Sequence, residues 1–378
     1  MSIYLDNSAT TPLCSEAKNA VISALDDSFA NPSSLHHRGI NALSLLEISR
    51  KSVSDKLGCS PEEIYFTAGG TYSNNIAVFG AVSALRRRGN KIITSAVEHP
   101  SVENVMKKLE NDGFNVVRIP VDCFGNVNKA DIINEIDDKT ILVSMMLVNN
   151  ELGSILPVRD IKKYITMKKS PALLHCDAVQ GFGKININAK TFGADLISVS
   201  SHKIHGPKGT GALYIKKGTR IVSPLLGGGQ EKDISPGTQA LPAIAGFGAA
   251  AEMLKKDCSQ SLEKTKELRD YLVNELKKID SVYINSGDDA LPYIVNISVL
   301  GIPSQPMINF LSENGICVSG GSACSKGHRS SVLSGAGLSS ERIDSAIRIS
   351  MSRYTTKDEL TTLVQFIDKA TKTLRKSR

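Results

Sequence analysis

The sequence lacks several signatures of well-known protein classes. No two of its seven cysteines form a CxxC pair, and an odd, scattered set argues against both a disulfide framework and a zinc site. No stretch approaches a membrane-spanning length, and the start, MSIYLDNSATTP, has no basic-then-apolar signal pattern. Internal repeats and low-complexity tracts are also missing. From these absences we expect a cytoplasmic protein with reduced cysteines, no metal site and no membrane partner.

The net charge is +7, but the basic residues are dispersed along the chain. The densest basic clusters are the three arginines at 86–88 and the tail at 369–378. The arginines precede Gly89, where a helix should end, and cations suit the carbonyl end of a helix dipole. We therefore interpret both clusters as solvated structure and expect no direct nucleic-acid partner.

Short apolar runs alternate with amphipathic helical patterns through the first two thirds of the chain. This alternation predicts an α/β fold with a mostly parallel sheet that helices cover on both faces. In such sheets ligands bind at the carboxyl ends of the strands. The predicted strands are residues 63–67, 91–95, 116–120, 141–146, 172–176, 196–199 and 211–215.

The pattern changes after the three glycines at 227–229. A long helix is predicted over 240–276, then strands near 293–299 and 316–318, a Gly/Ser-rich loop, and a closing helix from Lys357. We expect a large α/β domain over residues 15–255. Residues 1–14 and 256–378 would form a smaller α+β domain.

The segment FTAGGTYSNN (66–75) leaves a predicted strand and opens a helix. Glycines such as Gly70 let backbone amides approach an anion, Thr71 adds a hydroxyl, and the helix dipole favours negative charge there. No Gly-Lys-Ser/Thr follows, so the segment is not a P-loop. It is either a phosphate cup or an ordinary turn.

Three further polar segments also follow predicted strands. Asp177 in LLHCDAVQ (173–180) needs a cationic partner, because an unpaired buried carboxylate is costly. That partner is either a protonated ring nitrogen or an arginine. His99 in VEHPSV is either a hydrogen-bonding residue at a helix start or a catalyst. Asn150 in VNNELG either holds a ligand or makes an Asx-turn.

Lys203 lies in SSHKIHGPKG, just beyond the end of a predicted strand. A lysine amine in water has a pKa of roughly 10.4 and is a poor nucleophile. Partial desolvation near other cations makes it a Schiff-base former. Ser200 and His202 offer a hydroxyl and an imidazole to a phosphate. The alternative is a solvated lysine on an ordinary loop.

Two more side chains suit a nucleophile and a carboxylate-binding group. Cys324 lies in ICVSGGSACSKGHRSS (316–331), where Lys326, His328 and Arg329 favour the thiolate and glycines favour movement. The pattern indicates a nucleophile that must travel. Arg353 in SMSRYTT has a fork of donors that suits a carboxylate, although a helix-capping ion pair is the alternative.

Taken together, these segments resemble the cysteine desulfurases, which are pyridoxal-phosphate enzymes of the class V aminotransferase group and of fold type I. The resemblance is to the type with the longer loop and the Ser-Ala-Cys motif. It runs nearly end to end, in family order: YLDNSATTP, FTAGGTYSNN, VEHPSV, LVNNELG, HCDAVQ, SSHKIHGPKG, GGGQE, GTQALP, SGGSAC and SRYTT.

The resemblance assigns roles to residues of this chain. It implies that Lys203 binds the cofactor covalently, that Asp177 pairs with the pyridinium nitrogen, and that His99 stacks on the ring. The cofactor-binding residues that it implies are Lys203, Gly70, Thr71, His99, Asn150, Asp177, Gln180 at the ring hydroxyl, Ser200, His202 and, from the other subunit of a homodimer, Thr238. The catalytic and substrate-binding residues that it implies are Cys324, Lys203 and His99, and Asn150 and Arg353 at the substrate carboxylate.

The implied activity is removal of sulfur from L-cysteine, which gives L-alanine and a persulfide on Cys324 for an acceptor protein. The acceptor would serve iron–sulfur clusters, a thio-cofactor or transfer RNA. The sequence stops at Arg378, without the longer extension that some members use to dock a scaffold, so a dedicated acceptor is the alternative to a general scaffold. A selenocysteine lyase and a catalytically weak binding partner of the same fold are the alternative functions.

The chain departs from the family pattern at two places. Tyr72 and Asn74 stand where the family usually has Glu and often Asp. Ser235 and Pro236 replace the usual Arg-x before Gly-Thr, which removes a cation near the expected entrance to the active site. We expect the second departure to alter substrate fit or rate.

Overall fold

The computed structural model describes residues 2–320 and 329–374, apart from the side chains of residues 255–259. Its strands form three sheets of seven, four and two strands. The strands are β1 (Ile3–Tyr4), β2 (Ile64–Thr67), β3 (Lys91–Ser95), β4 (Asn115–Ile119), β5 (Thr140–Met146), β6 (Leu173–Asp177), β7 (Leu196–Ser200), β8 (Gly211–Ile215), β9 (Val282–Ile284), β10 (Ile294–Val299), β11 (Ile316–Cys317), β12 (Ser319–Gly320) and β13 (Ala346–Ser350).

Helices connect most of these strands. The helices are α1 (Ser15–Asp26), α2 (His37–Leu57), α3 (Gly70–Leu85), α4 (Pro100–Asn111), α5 (Lys129–Glu135), α6 (Ile161–Met167), α7 (Ala189–Phe192), α8 (Leu241–Leu276), α9 (Ser304–Glu313), α10 (Ser331–Gly335), α11 (Ser340–Asp344) and α12 (Lys357–Thr373). No helix in the described part of the chain combines the length and the apolar character needed to cross a membrane.

The seven predicted strands form the large sheet, in the order β2-β8-β7-β6-β5-β3-β4. The pairs from β4 through β3, β5 and β6 to β7 are parallel, as the alternating pattern predicts. β8 differs, because it runs antiparallel to both β7 and β2. The ten residues between β7 and β8 are too few for the crossover that a parallel neighbour requires.

Apolar side chains cover both faces of the large sheet. Neighbouring residues of one strand point to opposite faces, so Ile92 and Ile93 of β3 belong to different apolar clusters. On one face, side chains of α3 and α4 such as Ile76 and Met106 pack on the sheet. On the other face, α2 and α8 contribute residues such as Phe247. This double cover is the α/β architecture that the sequence predicts.

The remaining strands build a smaller structure with its own core. β12, β13, β10 and β9 form an antiparallel sheet, and α8, α9 and α12 contribute to the same apolar cluster. The N-terminal segment joins it, because β1 pairs with β11 and Leu5 is buried in this core. The separate core supports the predicted division into two domains, whose boundaries at 14/15 and 255/256 stay a prediction.

Candidate active site

A cavity of about 530 Å³ opens at the carboxyl edge of the large sheet. The segments that follow β2, β3 and β5 and the ends of β6 and β7 form its floor, as the topology of a doubly covered sheet requires. The N-terminal residues Ser8, Ala9 and Thr10 form one wall. Arg348 of β13 and Ser331 of α10 close it from the smaller sheet. Its volume is that of a typical small-molecule site.

The structure brings most of the predicted site residues to this cavity. The predicted residues that line it are Gly70, Thr71, His99, Asn150, Asp177, Gln180, Ser200, His202 and Lys203. Thr238 is exposed and does not line it. Arg353 lines a smaller neighbouring cavity instead. Cys324 lies outside the described residues.

Lys203 lies in a single 3₁₀ turn that continues β7. Its Nζ donates to the carbonyl oxygens of Ser8 and Ala9, with 2.9 Å to the latter. The same N-terminal segment holds the turn, because Thr11 Oγ1 donates to the carbonyl oxygen of His202 at 2.9 Å. The first residues of the chain therefore hold the lysine amine at the cavity, partly shielded from water.

Asp177 ends β6 and is 5% exposed. Its Oδ2 accepts from Asn74 Nδ2 at 2.7 Å, and its Oδ1 accepts from the N–H of Val179 at 3.0 Å. Neither donor carries a charge. Among the side chains that the structure describes, no arginine or lysine forms an ion pair with this carboxylate, so it can serve a cation that binds in the cavity.

The start of α3 and the end of β7 form a cradle for an anion. A Cβ on Gly70 would lie 2.7 Å from Val179 Cγ2, so the close approach of backbone here requires glycine. Ser200 Oγ is buried and has no hydrogen-bond partner among the described residues. Burial, together with Lys203 and Lys208, lowers the pKa of His202 to about 4. Amides, hydroxyls and cations here match the needs of a phosphate.

Gln180 bridges the N-terminal segment and a second buried lysine. Its Nε2 donates to the carbonyl oxygen of Ser8 at 2.9 Å, and its Oε1 accepts from Lys184 Nζ at 3.2 Å. Burial, followed by the charges of Lys203 and Arg348, lowers the pKa of Lys184 to about 7. Lys184 thereby fixes which end of the Gln180 amide points to each neighbour.

Arg348 is a site residue that the sequence pattern did not reveal. It is 2% exposed, and it donates from Nη1 to the carbonyl oxygen of Asn150 at 3.0 Å and from Nη2 to Asp6 Oδ1 at 2.9 Å. The sequence gives one indication of this role, because Arg348 lies in the apolar strand AIRIS and buried arginines are almost always paired. The resemblance had directed attention to Arg353 instead.

Arg353 does not line the large cavity, and it lies three residues beyond the end of β13 at Ser350. Its guanidinium packs against the ring of Tyr354, 5.0 Å from the centroid. It lines the smaller cavity with Lys184 and His205. The arginine that the structure brings to the predicted site is therefore Arg348.

Glu98 is a second residue that sequence reasoning missed. It precedes His99, and its Oε1 accepts from Ser95 Oγ at 2.5 Å and from the N–H of Met146 at 2.9 Å. Burial raises the pKa of Glu98 to about 8. The raised pKa favours the neutral carboxyl group at pH 7, in a cavity that also holds Asp177.

Known proteins resemble this chain in both sequence and fold. The family model described as aminotransferase class-V matches residues 3–363. The cysteine desulfurase IscS of Dictyoglomus turgidum is 39% identical over 377 residues, which are 99% of this chain and 95% of that protein.

Two solved structures extend the comparison. A NifS-like protein has a TM-score of 0.94 and 35% identity, with 99% of this chain and 100% of that chain covered. A structure of SspA in complex with cysteine has a TM-score of 0.82 and 34% identity, with 94% and 100% covered.

These matches run over nearly the whole length of each chain, and they confirm the resemblance that the ten motifs indicate. They also confirm fold type I of the pyridoxal-phosphate enzymes. Family, fold and motifs agree: the chain belongs to the aminotransferase class-V family and, within it, to the cysteine desulfurases.

Proposed function

We propose that this protein is a pyridoxal-phosphate-dependent cysteine desulfurase. It takes L-cysteine, releases L-alanine and leaves a persulfide sulfur on Cys324 for an acceptor protein. The observation that carries the proposal is that one cavity presents a lysine amine, Lys203, and a buried carboxylate without an ion-pair partner in the described chain, Asp177. A phosphate cradle lies in the same cavity.

The residues present fit the cofactor. Lys203 would bind it covalently, Asp177 would hold a proton on its ring nitrogen, and Gln180 would donate to its ring hydroxyl. When bound, pyridoxal phosphate supplies an electron sink for the bonds around the amino-acid α-carbon. The residues proposed for its phosphate are Gly70, Thr71, Ser200, His202 and, from the second subunit of a homodimer, Thr238.

The orphaned hydroxyl and the glycine cradle support this assignment. Ser200 Oγ lacks a hydrogen-bond partner among the described residues, and the phosphate of the cofactor would supply one. Gly70 leaves room beside Val179 where a Cβ would clash. The exposure of Thr238 leaves it available to a second subunit.

The substrate carboxylate would bind between Arg348 and Asn150. Arg348 is anchored from two sides, so its guanidinium is preorganised for a carboxylate rather than mobile. The fork geometry of arginine gives a paired hydrogen bond that lysine cannot copy. A complex of the relative SspA with cysteine supports a cysteine-sized substrate. We propose Arg348 for this role, in place of the Arg353 that the resemblance implies.

Three groups would carry the chemistry. Lys203, once freed from the cofactor, would move a proton at the α-carbon of the substrate. His99 would face the ring. The thiolate of Cys324 would attack the substrate sulfur, so that a sulfur–sulfur bond forms and the carbon–sulfur bond breaks. The electron pair of the broken bond would leave with the substrate carbon, which takes up a proton and becomes the methyl group of alanine. The described residues that follow this cysteine, Ser331 and Val332, line the cavity.

The acceptor of the sulfur is a protein, either a general iron–sulfur scaffold or a dedicated partner. We place the reaction in the cytoplasm. The cysteines that the structure describes are free thiols, and these include the exposed Cys123, as in a reducing compartment.

The test is incubation of cofactor-loaded protein with L-cysteine, followed by alanine and sulfide assays and mass spectrometry. We expect alanine, one extra sulfur on Cys324, and after borohydride reduction a pyridoxyl group on Lys203. A Lys203→Ala variant should lose the cofactor, whereas Lys216→Ala, at an exposed lysine, should keep it.

Two results would overturn the proposal. A cofactor-loaded protein that makes no alanine from cysteine would indicate a binding partner without catalysis. Undiminished sulfide release by Cys324→Ala would remove the persulfide step, and a preference for selenocysteine in that variant would indicate a selenocysteine lyase.

A further inference from the structure

Four side chains form a continuous hydrogen-bonded chain along the wall of the cavity. Asn74 Nδ2 lies 2.7 Å from Asp177 Oδ2 and 2.9 Å from Ser101 Oγ, and Ser101 Oγ lies 2.8 Å from His99 Nδ1. The two middle members are buried, with Asn74 1% and Ser101 8% exposed. Burial protects these bonds from competition with water.

The donors in this chain can be counted. A carboxylate only accepts, so one proton of the Asn74 amide nitrogen goes to Asp177 and the other goes to Ser101 Oγ. A serine hydroxyl has a single proton, and Ser101 Oγ already accepts from Asn74. Its own proton is therefore left for His99 Nδ1.

A second donor acts on the same ring nitrogen. His99 is the N-cap of α4, and the backbone N–H of Ser101 donates to His99 Nδ1 at 3.1 Å. Nδ1 thus accepts from two donors of one residue. In a neutral imidazole the proton must then lie on the opposite nitrogen, Nε2.

We propose that Asn74 and Ser101 are positioning residues that hold His99 as a neutral imidazole with its proton on Nε2. His99 then offers a hydrogen-bond donor, not a base, from Nε2. The chain also couples His99 to Asp177 across the cavity wall. This inference adds a detail to the proposed function. It rests on that function only for the identity of the groups that accept the hydrogen bond from His99 Nε2.

The surroundings of His99 favour the neutral ring. Burial is the largest influence and lowers the pKa of His99, Asp177 acts to raise it, and Lys203 acts to lower it further. The positive end of the α4 dipole also disfavours an imidazolium at the N-cap. Burial raises the pKa of the adjacent Glu98 to about 8, which disfavours a negative charge beside the ring at pH 7. A neutral histidine used as a hydrogen-bond donor is a known catalytic device.

The residue type at position 74 determines the direction in which hydrogen bonds are donated along these four side chains. An aspartate there could not donate to Asp177 or to Ser101, and it would accept the proton of Ser101 Oγ instead. Nδ1 would then keep only the backbone N–H of Ser101 as a donor. An amide at position 74 therefore directs the proton of the Ser101 hydroxyl to Nδ1.

The test is long-range ¹H–¹⁵N NMR of ring-labelled histidines in the cofactor-loaded protein, with the His99 signals assigned from His99→Gln. We expect an unprotonated Nδ1 and a protonated Nε2 at neutral pH. Ser101→Ala should raise the pKa of His99 by about one unit, because one donor to Nδ1 is lost. Ser101→Thr, which keeps a hydroxyl, should restore the wild-type value. Asn74→Asp should also raise the pKa of His99, because the Ser101 hydroxyl would then donate to the new carboxylate and no longer to Nδ1.

The matched control is Asn75→Ala. The Nδ2 of Asn75 donates to the backbone carbonyl oxygens of Thr71 and Ser101 and not to any of the four hydrogen-bonded side chains. Loss of the Asn75 amide should therefore leave the signals of the His99 ring unchanged. A wild-type ring with its proton on Nδ1, or Ser101→Ala spectra identical to wild type, would overturn the proposal. Because the readout is the ring itself, it stands whether or not the protein turns over cysteine.

Discussion

Arg348 and Asp6, which are 342 positions apart in the sequence, form an ion pair with Nη2 2.9 Å from Oδ1. The arginine side chain is 2% exposed and that of the aspartate 21%. The pair joins β13 of the smaller sheet to the N-terminal segment that also holds Lys203. The groups proposed for the substrate carboxylate and for the cofactor are thus fixed to one short stretch of chain.

The first prediction concerns this arginine. Arg348→Lys keeps the charge but loses the fork, so we expect the KM for L-cysteine to rise roughly 10- to 100-fold. The matched substitution Arg353→Lys, in the neighbouring cavity, should change KM less than threefold. Steady-state kinetics of both variants check this, and a larger effect of Arg353→Lys would return the carboxylate role to that residue.

A second prediction concerns Lys184, which donates to Gln180 Oε1. Lys184→Met keeps the volume but frees the amide to turn, so Gln180 can no longer be held ready to donate to the cofactor. We expect about tenfold weaker binding of pyridoxal phosphate, measured by titration of the apoprotein followed by absorbance. Lys190→Met, at an exposed lysine, serves as the control and should bind normally.

Much of the fold follows from local pattern, because buried strands here are apolar runs that turns delimit. The strand predicted at 91–95 is β3 without change, and the helix predicted over 240–276 begins at Leu241. The segment FTAGGTYSNN, which is expected to open a helix, does so at Gly70, the first residue of α3. The antiparallel direction of β8 follows from the short loop between β7 and β8, and the spacing of apolar residues does not indicate strand direction.

The site is predictable where topology gathers strand ends, and less so where distant segments meet. His99, Asp177 and Lys203 each follow a strand of the large sheet, so the doubly covered sheet predicts their convergence. The importance of Arg348 depends on Asp6, at the opposite end of the chain. Asn74 stood out in the sequence only as a departure, because its two partners lie on other elements.

A third prediction concerns pH and Glu98, whose folded-state pKa of about 8 lies above its ordinary value of 4.5. The folded state binds the proton more tightly than the unfolded state, so stability falls as pH rises from about 4.5 to 8. Glu98→Gln cannot lose a proton and should escape this part of the loss. Relative to wild type, we expect the variant to gain a few kcal/mol across that window, at about 1.4 kcal/mol per pH unit.

Chemical denaturation of both proteins at pH 5, 6.5 and 8 measures that difference. Glu313→Gln, at an exposed carboxylate of α9, is the control for a general effect of one fewer carboxylate. Parallel stability curves for wild type and Glu98→Gln over the window would show that Glu98 ionises normally, and the assignment of a neutral carboxyl group beside His99 would fail.

The last prediction concerns the ion pair between Arg50 and Glu231, which ties the GGGQE segment to α2. Arg50 donates from Nη1 and Nη2 to the two carboxylate oxygens at 2.7 and 2.9 Å, and Glu231 also accepts from the N–H of Phe66 at 2.8 Å. Glu231 is 8% exposed and has a φ of 47°, so these bonds hold a left-handed backbone that a non-glycine residue seldom adopts.

Loss of one partner leaves the other charge buried and unpaired. We expect Glu231→Gln and Arg50→Met each to lower the free energy of unfolding by about 3–5 kcal/mol, and the double variant to lose much less than the sum. Lys51→Met, which removes an exposed lysine one residue away, should cost under about 1 kcal/mol. Denaturant titration of the four variants measures the coupling, and additive losses would mean that the two side chains do not stabilise the fold as a pair.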